Sequence, residues 1–270
     1  MRPEYLNWLV KKPDNLVSDD GKEIEVYELR HGVDENVLSQ WATHFRNQYC
    51  SDEMIDVLID GTGETKQEYL ENTVFPDKTT RPGPAVRSGD FAEILVSDYL
   101  EYNLGYWVPR IRYDVKFNRN ESTKGVDVLG FKLVDESYSN PNDELLTFES
   151  KARLGSQPPS SVLQNAVDHS GKDVVRRAAS LNAVKRRKIR DGDLEAVKTV
   201  QRFQSIVDNP YKAMYGAAAV LSECYYDSSV EQKVCCGEHP NQDGLMLVII
   251  YGDDLMNLVH ALYRRAADEA

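Results

Sequence analysis

The chain has 270 residues, 41% of them hydrophobic and 28% charged, enough for one large domain, or one and a half, with a sizeable core. Its net charge of −12 excludes indiscriminate nucleic-acid binding over the whole surface, although a local basic groove remains compatible because phosphates are contacted by patches. No apolar run approaches the roughly 18–20 residues of a bilayer span, and MRPEYLNWLVKKPDNLV lacks a signal-peptide core. Four irregularly spaced cysteines make no disulfide framework, so a cytoplasmic protein is expected.

Residues 1–80 read as a small α/β region. Glu23–Arg30 alternates polar and apolar side chains as a half-buried strand does, and Asp34–Tyr49 places Val37, Leu38, Trp41 and Phe45 at helical spacing. Helical or mixed pieces follow to Asn72. Within them Gly61–Lys66 resembles a phosphate loop only superficially, lacking the Gly-Lys-Ser/Thr ending, and reads as a turn and helix cap. Residues 75–84 (FPDKTTRPGP) carry loop chemistry.

Residues 81–270 read as the main domain. Gly89–Tyr102 is a helix with Phe91, Leu95, Tyr99 and Tyr102 in one stripe, capped by Ser88 or Asp90. Trp107–Phe117 alternates, with Ile111, Tyr113, Val115 and Phe117 on one face and Arg110, Arg112 and Lys116 on the other, as in a strand. Strands around Val126–Leu133 and Leu145–Ala152 flank a turn at Ser139–Asp143. A long helix starts near Ser160 or Ser161, breaks at Gly171 and runs toward Asp191-Gly192-Asp193. Another spans about Leu194–Val207. Gly216–Tyr226 and Leu245–Tyr251 are buried strands, and Asp253 caps a terminal helix to about Arg265. This order gives an α/β fold, a mixed central sheet flanked by helices.

The chemistry lies in Gly125-Val126-Asp127-Val128 and Phe148-Glu149-Ser150-Lys151. Residues two apart on a strand face the same way, so Glu149 and Lys151 project together, and Asp127 reaches that face if the two strands pair. Two carboxylates and a carbonyl oxygen suit Mg²⁺, with Mn²⁺ the alternative. Such an ion polarises a phosphate and lowers the pKa of an attacking water, while a lysine orients that water or stabilises the transition-state charge. Asp127 sits between Val126 and Val128, where an unpaired buried carboxylate costs several kcal/mol and calls for a metal or Lys151. Glu93 lies beside Leu100 at the edge of its helix's apolar arc and makes a fourth member, a candidate metal ligand with Asp127 and Glu149. The rival reading of an isolated Glu-x-Lys is a solvated strand face.

Taken together, SGDFAEILVSDYL, PRIRYDVKFNR, KGVDVLGF and FESKARL resemble the nuclease subunit family (HamA) of Hachiman antiphage systems, within the PD-(D/E)xK nuclease superfamily; the likeness is good over about residues 85–180 and looser elsewhere. The resemblance implies a restriction-endonuclease-like core and a metal-dependent DNase held quiet by a HamB-like helicase partner until phage-related DNA engages it. By position, Glu93, Asp127, Glu149 and Lys151 match the acidic helix residue, the metal Asp, the metal Glu and the catalytic Lys. Val126 stands where the superfamily has Pro, which leaves the ligand intact. The rivals are a stand-alone restriction or repair endonuclease and a noncatalytic DNA- or helicase-binding adaptor.

Between Lys172 and Arg202 lie ten basic and four acidic residues. In that stretch Lys185, Arg186, Arg187 and Lys188 are either DNA-backbone contacts or a solvated helix end whose charge suits the dipole. Arg110, Arg112, Lys116 and Lys124 are either phosphate contacts or a solvated strand face. Gln164 and His169, on the helix after the Lys, line the site if the chain is arranged as many nucleases of this class are; the rival reading of His169 is a surface histidine. Cys224, Cys235, Cys236 and His239 lack a zinc-knuckle spacing and are not assigned a metal. The acidic region 1–80, which holds nothing resembling a catalytic site, is the expected partner-docking surface.

Overall fold

The computed structural model describes residues 2–155 and 161–270. Among these residues seven strands form one mixed sheet: β1 (Leu9–Lys11), β2 (Leu16–Val17), β3 (Glu23–Leu29), β4 (Val128–Lys132), β5 (Glu144–Arg153), β6 (Lys212–Ser222) and β7 (Leu245–Gly252). The order is β1-β3-β7-β6-β5-β4, with β2 also pairing β3. The β3, β7, β6 and β5 strands run parallel, and β4 closes the far edge antiparallel to β5. Parallel central strands covered on both faces need near-continuous apolar runs, and LMLVIIY in β7 supplies one.

The helices are α1 (Glu35–Arg46), α2 (Ile55–Ile59), α3 (Lys66–Tyr69), α4 (Gly83–Asp98), α5 (Val162–Ser170), α6 (Asp173–Arg190), α7 (Leu194–Arg202), α8 (Ser228–Glu231) and α9 (Leu255–Asp268). On one face Leu146, Phe148, Val220 and Ile250 pack with residues of α1, α4 and α9. On the other, Ala217, Ala219 and Leu247 meet α5, and Leu145 and Phe131 meet α6 and Phe203. Residues 1–80 share this architecture: β3 extends the sheet through β7, and α1 packs on α9. Deleting them would strip that edge from the sheet.

Several local expectations hold for the reasons given. The turn and cap read at Gly61–Lys66 is a capping box of Thr65 and Glu68 on α3, and the helix read from Asp34 is α1, where the Asp34 carboxylate proves to accept from the Asn36 and Val37 N–H groups. The break at Gly171 separates α5 from α6, and Ser161 caps α5, accepting from the Gln164 N–H at 3.1 Å. Ser160, the alternative start, lies outside the described residues.

Others are corrected. The α4 helix begins at Gly83, because Pro84 fits the first turn, where no intrahelical N–H is needed; Ser88 and Asp90 therefore lie inside it and do not cap it. The α7 helix stops at Arg202, where Phe203 turns into the core against Phe131 and Tyr211. The β6 strand starts at Lys212 and ends at Ser222, in a 3₁₀ turn over Glu223–Tyr225. The terminal helix starts after Asp254, not Asp253, and Asp254 accepts from the Asn257 side chain at 2.6 Å without capping a backbone N–H.

The largest correction is Trp107–Phe117. Only Trp107 joins the sheet, through a bridge to Phe131. The chain then turns at Pro109 and Arg110 (φ 46°) and runs back along α4. Its basic residues face the acids of that helix and of the turn Tyr99–Asn103 that continues it: Arg110 pairs with Asp98 at 2.6 Å and Glu101 at 2.7 Å, Arg112 with Glu93 at 3.1 Å, and Lys116 with Asp90. The alternation expected of a strand is instead a ladder of ion pairs, and Val115 and Phe117 are left exposed.

Candidate active site

Antiparallel register places Val128 opposite Phe148, so Asp127, one step further, comes level with Glu149. Asp127 Oδ2 accepts from the Ser150 N–H at 3.1 Å, which fixes the carboxylate against β5. Gly125 makes the approach possible. At φ +112° it adopts a backbone that L side chains rarely reach, and the next N–H, of Val126, donates to Ser180 Oγ on α6 at 3.1 Å.

Glu149 is 2% exposed and shares a sheet face with Lys151. Its Oε1 accepts from Lys151 Nζ and lies 3.4 Å from His169 Nδ1. Its Oε2 has no hydrogen-bond donor among the described residues, with Arg176 at 3.9 Å. Behind it the neighbouring strand offers only Ala217 and Ala219, small residues that leave the carboxylate room under α5. Gly216 admits the Phe148 ring so closely that a Cβ there would meet Phe148 Cδ2 at 2.1 Å, so β5 and β6 are locked in this register.

On the other side of Asp127, Glu93 is 8% exposed and accepts from the Tyr113 hydroxyl at 2.9 Å. Arg112 bridges the two acids, 3.1 Å from Glu93 Oε2 and 3.3 Å from Asp127 Oδ1, and also donates to the Val126 and Thr123 carbonyls. Burial and the nearby Asp127 charge push the Glu93 carboxyl up to about 8. Asp127 is also raised, by burial and then by Glu149. These acids are tuned by removal from water and mutual repulsion, as at sites where charge is meant to be used.

One residue was not anticipated. Asp173, in the first turn of α6, is fully buried, and neither of its oxygens has a hydrogen-bond partner among the described residues; Arg176 stands 3.6 Å away. Burial, then the charges of Glu149 and Asp127, raise its carboxyl to about 7. Its local sequence signal was the Gly171 break, which starts a new helix where the chain passes over β5; an acid in a helix's first turn ordinarily reads as a complement to the dipole.

The remaining expectations divide. His169 lines the site, and burial together with the Lys151 and Lys172 charges lowers its pKa. Gln164 instead bonds Asp168 at 2.7 Å and the Cys235 backbone. Arg110, Arg112 and Lys116 form no solvated strand face, their charged ends being committed to α4 acids. Lys124 is exposed on the rim of a cavity of about 230 Å³ behind Asp127, walled by Ile111, Leu129 and Val184. Lys185 donates to Gln204, Arg187 pairs with Asp114 and Asp191, Lys188 pairs with Asp193, and Arg186 is exposed. His239 bonds Ser170 and Asn241 through its two ring nitrogens.

An all-oxygen set with buried acceptors lacking donors, at Glu149 Oε2 and both Asp173 oxygens, fits a hard divalent cation. As placed, no three His, Cys, Asp or Glu side chains among the described residues converge closely enough to hold one, because Lys151 and Arg112 stand on the carboxylates.

The fold and site define an α/β protein with a mixed sheet whose edge pair of strands carries a buried cluster of carboxylates beside a lysine. A sequence model of the HamA family matches residues 3–266, essentially the whole chain, and the chain belongs to that family. Membership places it among the components of Hachiman antiviral defence. No curated protein matches it. No described helix is long and apolar enough to cross a membrane.

Proposed function

We propose that this chain is a metal-dependent DNase with a PD-(D/E)xK core, the effector of a Hachiman-type defence system, released or activated by a partner helicase. The observation that carries the reading is the level placement of Asp127 and Glu149 on paired strands, with Lys151 on the same face and Glu149 Oε2 lacking any donor among the described residues. Asp127, Glu149 and Asp173 would hold Mg²⁺, and Glu93 would act from behind Asp127. When bound, the ion supplies charge neutralisation of the phosphate and a more acidic water.

The protein's own part follows from the contacts. The Ser150 N–H holds Asp127 in place, and Arg112 keeps Glu93 and Asp127 from repelling each other. Lys151, about a third exposed at the mouth of the site, can turn from Glu149 toward a phosphate oxygen or a water. His169 and Arg176 stand within reach of the same face and can receive the substrate's negative charge.

One observation favours a rival, the noncatalytic adaptor. Lys151 and Arg112 neutralise the carboxylates internally, which needs no metal at all. A site silent until a partner moves would look the same. Incubating plasmid DNA with the chain in Mg²⁺ or EDTA, with and without the helicase, separates the readings. General degradation that needs Mg²⁺ and the helicase supports the effector. Discrete fragments from the isolated chain support a stand-alone endonuclease, and intact DNA in every condition supports the adaptor.

A further inference from the structure

A second charged cavity, of about 460 Å³, lies between the start of α4, the loop before it and α9. Its size falls within the range of small-molecule pockets. Lys78, Arg87, Arg119, His260, Arg264 and Tyr263 line it. Two acids share the lining, but Asp77 is committed to the Thr79 and Thr80 N–H groups (2.8 and 2.6 Å) and to Arg119 at 3.3 Å. Glu71 is exposed at the rim.

The cations are not balanced in the same way. The Lys78, His260 and Arg264 side chains make no ion pair or hydrogen bond among the described residues. Arg87 is 6% exposed and stacks 4.2 Å over the Tyr263 ring. Its Nε donates to the Pro76 carbonyl at 2.6 Å, and among the described residues no carboxylate pairs with it. Burial and the charges of Arg87, Arg264 and Lys78 lower the His260 pKa, as expected where like charges converge on one space.

We propose that this cavity binds a phosphate group, with Arg87 as its fixed rear donor and Lys78 and Arg264 closing from the two sides. A buried guanidinium held by its Nε presents the remaining N–H groups in a fixed fork, the geometry that suits a phosphate oxyanion. Two exposed cations without partners then supply charge without breaking any internal pair. A carboxylate would satisfy fewer of these donors. The site is separate from the carboxylate cluster: Arg87 and Glu93 lie about 9 Å apart along the α4 axis. The Tyr263 hydroxyl does connect the two, bonding Tyr49, which in turn donates to Asp90 at 2.7 Å.

The phosphate has two possible sources, a small free phosphate or the end of a nucleic-acid strand. Calorimetric titration of the metal-free full chain at 0.15 M salt distinguishes them, using inorganic pyrophosphate and a short oligonucleotide with either a 5′-phosphate or a 5′-hydroxyl. Saturable binding of pyrophosphate, or of the phosphorylated strand in preference to the hydroxyl one, is expected. In Lys78→Glu/Arg264→Glu it weakens by roughly tenfold or more per cation lost. Both positions are exposed, so the variant is expected to fold, and far-UV circular dichroism with thermal melting verifies this. Lys198→Glu, an exposed change on α7, leaves binding unchanged. No binding of any probe by the wild type, or equal binding by the folded double variant, overturns the proposal.

Discussion

Replacing Glu93 with Gln tests whether the acid cluster is a site whose charge is costly to the fold. Glu93 is buried beside Asp127, and its carboxyl is raised from 4.5 to about 8, by burial first and then by that neighbour's charge. The folded protein therefore keeps a proton that the unfolded chain releases between about pH 4.5 and 8. Stability attributable to this group is complete below that window and falls as pH rises through it. At about 1.4 kcal/mol per pH unit the loss is about 3 kcal/mol at pH 7 and about 5 kcal/mol above pH 8. A glutamine mimics the protonated form, keeps an acceptor for the Tyr113 hydroxyl and leaves Arg112 its pair with Asp127. In EDTA, Glu93→Gln should melt close to the wild type at pH 5 and higher at pH 8.5, by about 10–20 °C if each kcal/mol moves the midpoint about 2–4 °C. Scanning calorimetry at four or five pH values measures this. A difference that stays constant with pH, or a variant that loses more stability as pH rises, would refute the reasoning.

Asp98→Asn should behave in the opposite sense. Burial opposes ionisation there, but His44 and Arg110 outweigh it and lower the pKa, so the stabilisation is present above the ordinary carboxylate range and lost in acid. With Arg110 left half-paired, urea denaturation at pH 7 should show a loss of about 3–5 kcal/mol that narrows toward pH 3, and a pH-independent loss would contradict the assignment. Asp173→Asn should raise stability in EDTA by an amount that grows as pH rises from about 4 to 7 and levels off above, since that carboxyl is raised from 3.8 to about 7 by burial and the Glu149 and Asp127 charges. The same change should weaken Mn²⁺ binding read by electron paramagnetic resonance, and unaltered binding would remove Asp173 from the site. Gly216→Ala forces a Cβ into the Phe148 ring and should cost about 1–3 kcal/mol, measured by thermal melting; a neutral result would show that the two strands are not locked as described.

The parts of this structure legible in sequence were those set by short-range pattern. Val126–Leu133 and Leu145–Ala152 read as strands because apolar side chains run through them, and the period of two put Glu149 and Lys151 together before any partner strand was known. The helix starts at Asp34 and near Ser160 or Ser161 and the Gly171 break were equally local. Failure came where a pattern has two physical solutions. Arg110, Arg112 and Lys116 alternate with apolar residues as a strand does, yet the acids of α4 drew them into ion pairs, and periodicity does not record which partner a charge will meet. Asp173 escaped for a related reason, since its meaning depends on α6 passing over β5, a relation of residues far apart in the chain. Family likeness extended further than any single motif, because it summed four blocks that are individually weak.

The central claim is that Glu149 and Lys151 hydrolyse DNA with a divalent ion. It is tested most directly by single-turnover cleavage of end-labelled DNA in Mg²⁺ by the chain with the proposed helicase partner, comparing wild type, Glu149→Gln and Lys151→Met. The account predicts cleavage by the wild type that EDTA abolishes, and a loss of at least about a hundredfold in each variant, with complex formation and melting temperature retained. Equal cleavage by all three proteins, or none by the wild-type complex in Mg²⁺ or Mn²⁺, would contradict it.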